Sequence, residues 1–83
     1  MKNVKTSKPK IKEKKLGREM AMGQCYDGII EIDPRQTSEE YLDTMIHEML
    51  HHHFPELTEE QVIKISNLMS KSLWNKGYRR IMD

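Results

Sequence analysis

Two helix-start signatures confine the helices of this chain to two windows. Thr37-Ser38-Glu39-Glu40 and Thr58-Glu59-Glu60-Gln61 each put Thr at an N-cap and Glu or Gln three residues later. That is the reciprocal capping box, which satisfies two orphan backbone N–H groups at once. Pro55 breaks the first helix, and Gly77 suits the residue just past the second. The spacing predicts helices over residues 38–53 and 59–76. Upstream the period changes. Ile30 and Ile32 alternate with Glu31 and Asp33, which predicts a half-buried strand over residues 29–33, ended by Pro34. Residues 19–25 place Met20, Met22 and Gln24 on one face and Glu19, Ala21, Gly23 and Cys25 on the other. Tyr26-Asp27-Gly28 between the two strands is a turn signal, with Gly28 able to take positive φ. Residues 10–16 alternate weakly through Ile11 and Leu16 and predict a first short strand, broken at Gly17. The fold class expected is α+β: a small antiparallel β-hairpin or three-stranded sheet followed by two helices.

A chain of 83 residues allows one small domain, over residues 10–83, with a core barely sufficient by itself. Cys25 is the single cysteine, so no intrachain disulfide can help. A bound metal is the staple that this composition offers. Residues 1–15 hold seven Lys against Glu13 alone. Residues 1–9 lack apolar periodicity and read as a flexible basic tail that aids solubility rather than one that contacts nucleic acid. A net charge of +1 argues the same way against a general nucleic-acid binder. No apolar run reaches spanning length, so no membrane partner is expected. No apolar h-region follows the basic start, and a cytoplasmic location is the default.

The chemistry concentrates in the first helix. Tyr41, Leu42, Met45, Ile46 and Met49 form its apolar stripe. His47 and His51 fall opposite the centre of that stripe, with Leu50 and Phe54 between the two sectors. Residues i and i+4 share a helix face, so both imidazoles can reach one ion. Glu48 projects about 100° round from His47. There it can act as general base on a metal-bound water without being a ligand, which makes His47-Glu48-Met49-Leu50-His51 an H-E-x-x-H motif with a mechanism. A His-rich helix end also suits the dipole, which is how His52 and His53 are read.

A catalytic zinc takes three protein ligands. The downstream carboxylates are Glu56, Glu59, Glu60 and Asp83. The second helix has a stripe of Val62, Ile65, Met69 and Leu73, with Trp74 to one side. Glu59 lies within about 80° of the stripe's centre, whereas Glu60 points nearly opposite. Glu59 is therefore the favoured third ligand, with Glu60, Glu56, another group or none as alternatives. Cys25 reads as a small half-buried residue, a metal or redox role being the alternative. Residues 78–83 form a short basic end whose Tyr78 and Ile81 can fold back on the core.

The HEMLH stretch on a helix that follows an Ile-rich strand resembles the zincin metallopeptidases. A downstream Glu on the next helix, with Leu57 where a His-ligated zincin would carry His, is closest to the gluzincin pattern. Residues 23–78 also resemble small phage- and bacterium-borne zincin-like proteins, in which the motif is soon followed by an acidic helix start and a Trp…Gly-Tyr ending. Here those are His47, His51, Glu59, Trp74, Gly77 and Tyr78. The resemblance covers two-thirds of the chain, and the gap from His51 to Glu59 is shorter than in typical gluzincins. It implies a metallopeptidase with one Zn²⁺ per chain, Glu48 as proton shuttle and a protein or peptide substrate. It also implies that the strand Ile29, Ile30, Glu31, Ile32 is an exposed edge that pairs with substrate. Tyr26, Tyr41 and Tyr78 are the candidate oxyanion donors. The other reading is a zinc-stabilised binding or regulatory module without turnover.

Overall fold

A computed structural model describes residues 4–19 and 21–81, so Met20 and Asp83 lie outside the described residues. The strands are β1 (Lys10–Glu13), β2 (Gly23–Tyr26) and β3 (Ile29–Ile32), and the helices are α1 (Ser38–His53) and α2 (Glu59–Asn75). A 3₁₀ turn, Gly17–Glu19, follows β1. β1 runs parallel to β3 and β2 antiparallel to it, in the order β1-β3-β2. The chain is thus an α+β fold with a three-stranded mixed sheet followed by two helices. Both capping boxes form: the Thr37 and Thr58 hydroxyls accept from the backbone of Glu40 and Gln61, whose side chains bond back to the cap. Asp27 and Gly28 both take positive φ, 48° and 75°, as a two-residue hairpin loop with the twist of its strands requires.

The expected substrate edge is corrected by this topology. Ile29, Ile30, Glu31 and Ile32 form the middle strand, paired on both sides, and have no free backbone edge to offer. β1 crosses back to the far side of β3, a parallel pairing that weak alternation in residues 10–16 cannot specify. Among the described residues the outer edges of the sheet are those of β1 and β2.

Helix α1 separates two small cores. Tyr41, Met45 and Met49 pack with Ile30, Ile32 and Cys25 of the sheet. Leu42, Ile46 and Leu50 pack with Val62, Ile65 and Leu73 of α2, under Phe54 and Leu57. The single stripe read from the sequence therefore splits between two partners. On α2 the expected stripe is displaced. Val62 is buried, but Met69 is 43% exposed, and Ser66 and Ser70 are buried in its place. Small side chains there let the two helices approach. Ser70 Oγ donates to Asp43 Oδ1 at 3.1 Å, and Ser66 Oγ to the Ile63 carbonyl, so neither hydroxyl is orphaned.

The described residues near either end make contacts of their own. Lys5 N–H donates to the His53 carbonyl at 2.8 Å, and the rings of His52 and His53 bond the carbonyls of Ser7 and Lys5. Part of the segment read as a flexible tail is thus tied to the end of α1. Tyr78 and Ile81 do not fold back on the core and are 65% and 88% exposed. The intervening arginines lie over rings of the two helices at the surface: Arg79 stacks on Trp74, and Arg80 lies over Tyr41 and pairs with Glu13 at 2.7 Å. Among the described residues no helix is long and apolar enough to cross a membrane.

Asp33 locks the end of β3 to the chain leaving β1. Its buried carboxylate accepts from the Leu16 N–H at 2.9 Å, the Arg35 N–H at 3.0 Å, and Arg35 Nε and Nη2 at 2.9 and 2.7 Å. The Arg35 guanidinium first, then the backbone donors, hold the carboxyl well below the usual carboxylate range. A depressed folded value stabilises above the unfolded pKa of about 3.9 and is lost as pH falls below it. Asp33→Asn should therefore melt lower than wild type at pH 7, with the gap closing as the pH falls from about 4 toward 2. Parallel thermal melts across that range check both the sign and the window.

Candidate metal centre

The last turns of α1 carry the two histidines, and the first residue of α2 carries the third donor. His47 Nε2 and His51 Nε2 lie 3.2 Å apart. Glu59 Oε1 is 2.8 Å from His47 Nε2, and its Oε2 is 2.9 Å from His51 Nε2. The loop from Pro55 to Thr58 is short, and Phe54 and Leu57 pack into the helix–helix core. That places the start of α2 over the histidine turn. The Thr58 cap orients the first turn, so Glu59 faces the histidines while Glu60 faces solvent and reaches Lys64 at 3.4 Å.

Donor type and spacing suit a zinc ion. The ligand atoms of His47, His51 and Glu59 all lie within 4.8 Å of one another. Two nitrogens each about 2.05 Å from a tetrahedral ion sit about 3.3 Å apart, close to the separation of the imidazoles. The two histidine–carboxylate distances are shorter than that, at hydrogen-bond length. The histidine side chains are part-buried, 19% and 29% exposed, whereas Glu59 is 61% exposed, so the site opens to solvent on the side of α2.

Glu48 is buried against β2 and lines the same cavity of about 500 Å³ as His47, His51 and Glu59. Burial pushes its carboxyl above the usual carboxylate range, with the two histidines opposing and Glu59 adding to the shift. No hydrogen bond holds it among the described residues. The approach of α1 to β2 depends on Gly23. A Cβ there would come 2.6 Å from Thr44 Cγ2 and 3.1 Å from Glu48 Cγ. The sequence reading assigns Gly23 only to a strand face; the signal for its role is a glycine inside a strand pattern, which marks close backbone approach.

The remaining candidates fall away from the donors. His52 and His53 are engaged with the N-terminal segment. Cys25 lines the cavity but is not one of the converging donors, and burial, then the Glu48 charge, push its thiol up, against a smaller pull from Lys5. A raised thiol is a poor nucleophile and a poor ligand. Of the tyrosines, Tyr26 borders the cavity, whereas Tyr41 and Tyr78 line a different one. No protein-family model, curated protein or solved structure matches the chain.

Two outcomes follow from this geometry. Glu59→Gln should weaken zinc binding at least about tenfold, the lower end of what even an outer-shell loss costs, while Glu60→Gln leaves it near wild type. Competition with a chromophoric chelator ranks the two. Gly23→Ala should destabilise by about 1–3 kcal/mol through overpacking. For a domain of this size that is a Tm lower by about 4–8 °C for each kcal/mol, read in a thermal melt.

Proposed function

We propose that this protein is a zinc-dependent metallopeptidase with a minimal zincin-like fold. The observation that carries the reading is the convergence, in one open cavity, of His47, His51 and Glu59 with a buried, unbonded Glu48. A purely structural metal site has no need of that fourth group.

His47, His51 and Glu59 would hold the ion. When bound, it supplies Lewis acidity that polarises the scissile carbonyl and acidifies water. The chain's own residues do the rest. Glu48 takes a proton from the attacking water and returns it to the leaving amine. Its burial raises the carboxyl's basicity toward the working pH, which favours both halves of that transfer. A peptide can be held in extended form along β2, whose outer edge is unpaired among the described residues and whose Gly23, Cys25 and Tyr26 border the cavity. Strand addition supplies main-chain hydrogen bonds without demanding a particular sequence. β2 thus takes the substrate-pairing role that the sequence reading assigns to residues 29–32.

Glu48→Gln separates turnover from binding. The variant should keep zinc content and Tm near wild type while peptide cleavage falls by about 10²–10⁴. Digestion of a mixed peptide library by zinc-loaded wild type and variant, read by mass spectrometry, is the measurement. Full activity in Glu48→Gln would remove the general base from the mechanism. A zinc-loaded wild type that cuts nothing would favour a zinc-stabilised binding module.

A further inference from the structure

A second cavity, of about 240 Å³, lies between the first half of α1 and the end of α2. Its walls are Tyr41, Leu42, Met45, Trp74 and Tyr78, and it shares no lining residue with the metal cavity. Two guanidiniums border it. Arg80 lies 4.7 Å above the Tyr41 ring and is balanced by Glu13. Arg79 lies 3.4 Å above the Trp74 ring, with Nη1 donating to the carbonyls of Trp74 and Tyr78 at 2.8 and 3.0 Å. Among the described residues no carboxylate pairs with Arg79. Its stacking and its two carbonyl bonds hold the guanidinium in place, and among the described residues Nε and Nη2 bond no other group.

Size and charge decide what fits. Pockets for whole drug-sized ligands run from about 300 to 1,000 Å³, so this one suits a single large side chain. Trp, Tyr, Met and Arg are also the residues enriched where one protein anchors on another. A guanidinium that no carboxylate among the described residues balances calls for a carboxylate next to that anchor. We propose that this cavity is a docking site for an acidic peptide segment of a partner protein, which inserts one large apolar side chain beside Trp74 and pairs a neighbouring carboxylate with Arg79. The proposal is independent of any activity at the metal centre.

Trp74 is the only tryptophan of the chain and reports directly on occupancy. The full-length protein is titrated with three tryptophan-free peptides: acetyl-Gly-Glu-Phe-Glu-Gly-amide, its Lys-Phe-Lys counterpart, and its Glu-Ala-Glu counterpart. The first should give a saturable change in Trp74 fluorescence, with the other two at least about tenfold weaker, the loss of one charge-assisted bond or of the anchor. Arg79→Ala, at an exposed position, should weaken the first peptide by a similar factor. The three-peptide comparison on wild type stands even if that variant folds poorly. No response to any peptide, equal responses to all three, or unchanged binding by a folded Arg79→Ala protein would each overturn the proposal. So would a saturable response to 4-phenylbutyrate with none to the peptides, which would assign the cavity to a small carboxylate instead.

Discussion

Helix α1 is the one element that packs against both the sheet and α2, and among the described residues α2 makes no contact with any strand. Everything in this small fold therefore depends on how closely α1 lies on β2 and β3. Gly23 sets that distance on one side, because any side chain there would meet Thr44 and Glu48. Ser66 and Ser70 set it on the other by letting α2 come in close. The H-E-x-x-H stretch sits at the shared surface, so its geometry follows from two packing distances rather than from local helix structure alone.

A domain with two half-cores is short of buried apolar area. Three converging side chains link the two helices of the second core. Two come from α1 and one from the first turn of α2, so an ion held by all three would tie together the helices whose contact forms the second core. The Glu59 carboxylate bridges the two imidazoles, at 2.8 and 2.9 Å. The sheet side has its own clamp in Asp33, which gathers four donors from two segments that share no strand pairing. Polar groups thus finish what apolar burial begins at both layers, and the buried Asp33 carboxylate is fully satisfied, as burial demands.

The cluster of four histidines divides by direction rather than by sequence. His47 and His51, one turn apart, share a face with Glu59. His52 and His53 are rotated away and bond the chain's N-terminal segment. That contact brings Lys5 to the wall of the cavity beside His47 and His51 and gives the otherwise unpartnered C-terminal carbonyl of His53 a donor. Composition alone would have treated all four as one metal-binding tract.

What the sequence by itself determined is what local chemistry controls. Thr37 and Thr58 with their N3 partners start the helices, Asp27-Gly28 makes the hairpin, and the spacing of His47, Glu48 and His51 follows from helix geometry. That Glu59 rather than Glu60 faces the two histidines was legible for the same reason, since position on the wheel of a capped helix is a local property. The tertiary structure decided the rest. Which side of β3 takes β1 depends on a crossover that no short-range pattern encodes. Whether an apolar residue such as Met69, or a serine such as Ser70, is buried depends on how closely a second helix can approach. The edge beside the cavity belongs to β2 because strand order is a property of the assembled sheet, and the cavity around Trp74 exists because two arginines from the chain's end reach back to rings on both helices.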